Sequence, residues 1–318
     1  MPEVRVDPLT GLKTIIAGAR ADRPNALFAV EPDAPIDPAT DPFAPGHEDQ
    51  TPPTLYSDGT PWRVRAFANK YPALIGDAQV PERDAHPDLY TARPAAGAHE
   101  VIVNAAEPVT NLAALSTEQV ILAVDTWRER IRAHAHAACK HLIVNERREA
   151  GASLPHTHAQ LYTLDFVPAA IARERERFGA YAVRTMGGNL LGDYVQEEVR
   201  RRERIVAIDD EAVLMAPYAS STPFHLILAP RKTRARFEDE GPTGAALLHD
   251  ALRRLKARLG ASPPLNLWVR TAPSGAEHFC WRIEIQPRLA SLAGLELGTG
   301  VHLCIVPPEQ AAAELREL

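Results

Sequence analysis

Residues Asn145 to Phe166 read NERREAGASLPHTHAQLYTLDF, and the centre of that stretch, Pro155-His156-Thr157-His158-Ala159-Gln160, decides the fold. A loop of small residues, Gly151-Ala152-Ser153, leads into two histidines one residue apart, and Leu161-Tyr162-Thr163-Leu164 then alternates as a strand does. Side chains at i and i+2 of an extended segment share a face, so His156, His158 and Gln160 are expected to line up together. A strand built for packing alone would put apolar residues there. A nucleotide phosphate accounts for the polar row, because neutral imidazole attacks phosphorus when its other ring nitrogen is held by an acceptor such as a backbone carbonyl. On that reading His158 is the nucleophile and Gln160 donates its amide N–H to a non-bridging oxygen. The Ser153 hydroxyl and the backbone N–H groups of Gly151 to Ser153 are further donors. Two such histidines also fit a zinc site or a satisfied structural pair; the Gly-Ala-Ser loop, Pro155 and Gln160 together favour the phosphate.

The segment resembles the active-site strand of the galactose-1-phosphate uridylyltransferase branch of the histidine-triad superfamily. That pattern is an Asn, a Gly-x-Ser loop and Pro-His-x-His-x-Gln, matched here by Asn145, Gly151, Ser153, His156, His158 and Gln160. The resemblance implies that His158 is nucleotidylated and that Gln160 stands where the hydrolase branch carries a third histidine. Glutamine cannot deliver a proton as histidine can.

Composition is that of an ordinary globular chain: 318 residues, 45% hydrophobic and 24% charged. A net charge of -6 argues against sequence-independent nucleic-acid binding, which needs a basic surface. Cys139, Cys280 and Cys304 have no CxxC or paired spacing, so neither a disulfide framework nor a cysteine-rich knuckle is expected. With no signal-type or 18-residue apolar run, no membrane partner is expected and a cytoplasmic location is the default.

Around the central motif, Trp62 to Phe67 alternates, Ala68 to Ala73 turns, and His99 to Val103 is a further strand. Ser116-Thr117-Glu118-Gln119 is a capping box opening a helix with Val120, Val124, Trp127, Ile131, Ala135 and Ala138 at helical spacing. His134 and His136 read as surface or satisfied residues. After a charged helix from Ala169 the order recurs: strand Ala212 to Ala216, turn, strand Phe224 to Ala229, helix Thr243 to Leu259, strands Leu265 to Arg270 and Phe279 to Ile285. The expected fold is therefore α+β, two histidine-triad-like halves from an internal duplication, each an antiparallel sheet with packed helices. Residues 1–178 form the half carrying the motif, and residues 179–318 the scaffold half.

The resemblance extends to other segments. Arg20-Ala21-Asp22-Arg23-Pro24 is similar to an R-x-x-R-P arm, which implies that Arg20 and Arg23 approach substrate phosphates across a homodimer. Asn69 follows a strand where the family has an Asn near the nucleotide; an Asn in a turn fits equally well. Family members hold zinc through two knuckle cysteines, a histidine after the strand of His99, and the first motif histidine. Here those positions are Asp41, Ala44, Pro108 and His156. A second metal uses a Glu and three histidines, matched by Glu174, Arg270, Arg282 and Glu284, which are expected to form ion pairs instead. No metal and no other cofactor is expected. The implied activity is a nucleotidyltransferase acting on a nucleoside diphosphate sugar, by ping-pong transfer through a nucleotidyl-histidine to a hexose 1-phosphate. Alternatives are a phosphorylase using inorganic phosphate and a non-catalytic nucleotide-binding relative; Gln160 weakens a hydrolase.

Overall fold

Alternating burial along the strands gathers most of them into one broad sheet. The computed structural model describes residues 1–23, 27–76 and 89–318, so Pro24 of the arm lies outside the described residues. The strands of the first half are β1 Glu3–Val6, β2 Lys13–Ile16, β3 Thr54–Ser57, β4 Arg65–Ala68, β5 Gly97–Val103, β6 Cys139–Glu146 and β7 His158–Leu164. Those of the second are β8 Ile205–Ile208, β9 Ala212–Met215, β10 Leu226–Pro230, β11 Leu265–Arg270, β12 Arg282–Pro287 and β13 His302–Cys304. The helices are α1 Thr117–Ala133, α2 Ala169–Arg184, α3 Leu190–Arg201, α4 Ala245–Leu259, α5 Gly294–Thr299 and α6 Pro308–Arg316. The architecture is α+β.

The large sheet runs β3-β4-β5-β7-β6-β11-β12-β10-β9-β8, and β1-β2-β13 form a smaller one. Read inward from each edge, both five-strand units have the same order, a meander of three strands followed by an exchange of the last two. The expected antiparallel strands of each half are present, and β6 and β11 pair antiparallel, Asn145 opposite Asn266 and Val144 opposite Leu267, which joins the two units into one sheet. The N-terminal segment folds back as the β1–β2 hairpin, and β13 adds to β2 in parallel.

Leu142, Val144, Ala159, Leu161, Leu267 and Val269 project to one face and are buried. Helix α1 lays Val120, Val124, Trp127 and Ile131 on that face, joined by Leu248, Leu252 and Leu255 of α4. Each such side chain contributes about 1.5–3 kcal/mol by leaving water. The Ser116 side chain accepts the Gln119 N–H at 3.2 Å and fixes the start of α1. Helix α1 stops at Ala133, short of Ala135 and Ala138, because His134 leaves the helix to meet Glu100 at 2.6 Å beside Arg130. Strand β5 opens on Gly97 for a steric reason: a Cβ there would lie 2.0 Å from the Thr163 carbonyl oxygen. The cysteines are buried and free. No helix of the described residues is long and apolar enough to cross a membrane.

Helices α1 and α4 take one face of the sheet, so the residues in between, at His158, Gln160, Asn145, Asn266, Arg270, Arg282 and Glu284, are left on the other. Both cavities described below open on that face.

Candidate active site

Strand β7 sits between β5 and β6, with His158 opposite Val103 and Gln160 between Val101 and Ile143. His158 is buried, and its Nδ1 donates to the carbonyl oxygen of His156 at 2.8 Å. That bond places the proton on Nδ1 and the lone pair on Nε2. Burial pushes His158 below the usual imidazole value, so the ring is neutral around neutral pH. The Phe43 ring meets it edge-on, centroids 5.3 Å apart, and restricts its tilt. His158 lines a cavity of about 570 Å³ together with Gln160, Ser153, Asn69, Lys70 and Tyr71.

Gln160 is oriented by its oxygen. The Ala73 N–H donates to His99 Nδ1 at 3.2 Å, so the His99 proton lies on Nε2, which donates to Gln160 Oε1 at 3.0 Å. Tyr162 stacks on His99 and donates its hydroxyl to the same oxygen at 3.2 Å. With Oε1 taken up twice, the amide N–H groups remain for a ligand. Asn69 lies on the same cavity, its Oδ1 accepting the Tyr71 N–H at 2.8 Å.

Ser153 is exposed at the cavity wall. Gly151 adopts φ +93°, closing the turn after Arg148–Ala150, and its N–H donates to the Arg148 carbonyl while Ala152 N–H donates to that of Arg147. Two of the loop amides read as phosphate donors are thus used inside the turn, because the tight turn needs them; the Ser153 amide has no partner among the described residues. Asn145 stands one strand away on β6, where its Oδ1 accepts from Asn266 Nδ2 at 2.8 Å, and the same Nδ2 reaches the Ala150 carbonyl. Asn266 therefore ties the loop to β11, and Asn145 orients its amide. Arg20 and Arg23 are exposed and outside this cavity.

Next to Asn145, Glu146 is buried on the core face with the Leu112 N–H at 2.7 Å. Burial outweighs that bond and pushes its carboxyl up to about 8. The folded chain thus holds a proton that the unfolded chain releases near 4.5, and stability declines as pH rises from there through about 8. Glu146→Gln keeps the acceptor for Leu112 and removes the titration. Urea unfolding is expected to show a gain of about 1–3 kcal/mol above pH ~8 and none near pH ~5.

His156 does not share the cavity. Strand β7 begins at His158, and the bend before it turns the His156 ring inward, where Nδ1 meets Asp41 Oδ2 at 2.6 Å and Nε2 meets the Ala105 carbonyl at 2.8 Å. The buried ring is held between these two oxygens, one from the Asp41 carboxyl and one from the backbone. Asp41 Oδ1 accepts the Phe43 N–H at 3.0 Å, which also sets the Phe43 ring against His158. The sequence shows Asp41 only as a lost metal ligand; its partnership with His156 comes from the fold. Phe43 and Lys70, each without a motif, were not legible as cavity residues.

In the second half the ion pairs form as expected. Arg282 holds Glu174 at 2.9 Å and Glu284 at 2.6 Å, and Arg270 approaches Glu174 at 3.3 Å. His225, unmarked by any motif, completes the chain at 2.6 Å from Glu284. Neither metal position of the resembled family fits a metal here: Ala44 has no ligand atom, Asp41 is bonded to His156, and guanidiniums stay protonated. Among the described residues no group of three or more His, Cys, Asp or Glu is placed to hold one.

A buried imidazole held in one tautomer with its other nitrogen free has the chemistry of a nucleophile. The family model described as galactose-1-phosphate uridyl transferase, N-terminal domain, matches residues 1–168, more than half of the chain, and the chain belongs to that family, whose members are nucleotidyltransferase enzymes. A domain of unknown function (DUF4921) matches residues 95–317. The chain is 27% identical to an ADP-glucose phosphorylase of Arabidopsis thaliana, covering 100% of this chain and 93% of that protein. It is 26% identical to a probable galactose-1-phosphate uridylyltransferase of Drosophila melanogaster, covering 100% and 95%. In fold it is similar to the crystal structure of the Arabidopsis thaliana ADP-glucose phosphorylase with bound ADP-glucose, with a TM-score of 0.83, 24% identity, and coverage of 100% and 99%.

Proposed function

We propose that this chain moves a nucleotidyl group from a nucleoside diphosphate sugar to a hexose 1-phosphate in two displacements at His158. The Nε2 lone pair attacks the α-phosphorus, the bond from that phosphorus to the bridging oxygen breaks, and sugar 1-phosphate leaves with the electron pair. A phosphate oxygen of the acceptor then attacks the same phosphorus, and the P–N bond returns its electrons to the imidazole. The observation that carries this reading is the 2.8 Å bond from His158 Nδ1 to the His156 carbonyl, which leaves Nε2 unprotonated in a ring that lines the cavity. Gln160 and Ser153 are assigned to the phosphate oxygens and Asn69 to the substrate. Asp41 and His156 are positioning residues: their buried pair holds the carbonyl that orients the nucleophile, in place of zinc. The enzyme is proposed to work without zinc or iron. Arg20 and Arg23, which do not line the cavity of their own chain, are assigned to phosphate contacts across a homodimer. The division at residue 178 and the origin of the repeated strand order by duplication belong to the same proposal.

Inorganic phosphate as acceptor is the second reading, favoured by the full-length similarity to an ADP-glucose phosphorylase. The two differ in product. Incubating UDP-glucose and ADP-glucose separately with galactose 1-phosphate or with inorganic phosphate is expected to give a new nucleotide sugar in the first case. Nucleoside diphosphate formed only with phosphate identifies a phosphorylase. Nucleoside monophosphate as the sole product, independent of acceptor, contradicts both.

A further inference from the structure

Strand β12 holds in the second half the place that β7 holds in the first, fourth from the sheet edge and flanked by β10 and β11. It too has a cavity on the open face, about 240 Å³, roofed by the β1–β2 hairpin and α2. The polar groups around it are unequally used. All six carboxylate oxygens are engaged: Asp7 by Leu9 N–H and Thr10, Glu174 by Arg270 and Arg282, Glu284 by Arg282 and His225. The nitrogen donors are not. Arg282 Nη1 and Trp268 Nε1 are buried without a hydrogen-bond partner among the described residues, as is His302 Nδ1, and all three side chains line this cavity. Arg173 of α2, exposed at the wall, has no acceptor among the described residues either. Leaving buried donors unpaired is costly, and here the missing groups are acceptors.

We propose that this second cavity is an oxyanion site that takes a phosphate group, either inorganic phosphate or the phosphate of a phosphomonoester, independently of the His158 cavity. A ligand that supplied donors would find the carboxylates occupied. One that brings several anionic oxygens meets two guanidiniums and an indole N–H, with Gln286 Oε1 available for a protonated phosphate oxygen. The site does not depend on the transfer chemistry proposed above.

The test is calorimetric titration of the full chain with inorganic phosphate, with glucose 1-phosphate, and with glucose as the uncharged control. The same titrations are made on Arg173→Ala and Trp268→Phe. Both changes spare the buried Arg282 ion pairs, so folding is not at stake as it would be for Arg282. Each is expected to weaken one saturable binding event about tenfold or more, while leaving turnover within about twofold of the unchanged protein. Binding of both anions assigns the site to phosphate itself, and binding of glucose 1-phosphate alone assigns it to a phosphomonoester. Glucose binding as well as its phosphate, affinity unchanged in both variants, or no event beyond the one at the His158 cavity overturns the proposal.

Discussion

His158→Asn is expected to fold normally and to lose at least about 10⁴-fold in kcat, on the scale seen when a covalent nucleophile is removed. The asparagine amide can keep the hydrogen bond to the His156 carbonyl, now 2.8 Å from Nδ1, so the bend before β7 and the Phe43 contact are preserved. What it lacks is a lone pair able to attack phosphorus. KM for the nucleotide sugar should therefore stay within a few-fold while kcat collapses, a split that a folding defect does not produce. The acid side of the wild-type profile carries a further expectation. Burial holds His158 below 6.5, and only the neutral ring attacks, so turnover should remain flat as pH falls through 6.5 and decline below it. Steady-state kinetics across pH, with thermal unfolding of the variant as the control for fold, check both statements.

Arg282→Met is expected to cost about 3–5 kcal/mol of stability at neutral pH. Arg282 is 1% exposed and bonds Glu174 and Glu284, which are 2% and 5% exposed, so its removal strands two carboxylates in the interior. In the intact chain burial pushes Glu284 up, but the Arg282 charge and the His225 hydrogen bond outweigh it and hold the carboxyl at about 2. A carboxyl depressed on folding contributes stability that is present above its unfolded value of 4.5 and lost as pH falls through about 2. The variant reverses the sign. Without the guanidinium, burial acts on Glu284 against the His225 hydrogen bond alone, so lowering the pH towards ~5 should recover more stability in Arg282→Met than in the unchanged protein, which gains only the Glu146 contribution. Denaturant unfolding at the two pH values measures this directly.

Much of the site could be read from residues 145–166, because strand alternation and short-range chemistry are local. The i, i+2 spacing put His158 and Gln160 on one face, and Ser153 of the preceding loop lies at the wall of their cavity. His156 departed from that reading because where a strand starts is set by its neighbours: Asp41, 115 positions away, and the Ala105 carbonyl pull the ring inward. The same limit hid Phe43, Lys70 and His225, whose roles exist only through contacts made by distant strands. At the level of fold, α1 was legible from Ser116 and its apolar spacing, and the repeated order of elements from residues 212–285. Fusion of the two units was not, since nothing in Asn145 or Asn266 alone marks an edge that will pair. The strand Cys139–Glu146 is not legible in the sequence for a related reason. Its residues face a core on one side and a functional surface on the other, so Lys140, His141 and Asn145 interrupt the apolar run that would announce it.

The central claim is that His158 carries the nucleotidyl group, and intact-protein mass spectrometry of a single turnover tests it most directly. Mixing enzyme in excess over nucleotide sugar, with no acceptor, should leave one nucleoside monophosphate unit on the chain, stable to base, lost in acid, and mapped by peptide sequencing to His158. Gln160 cannot protonate the intermediate, so it should persist until hexose 1-phosphate or phosphate is added and then disappear as product forms. An enzyme that turns over with no adduct on His158, together with a His158→Asn variant that retains activity, would contradict the account.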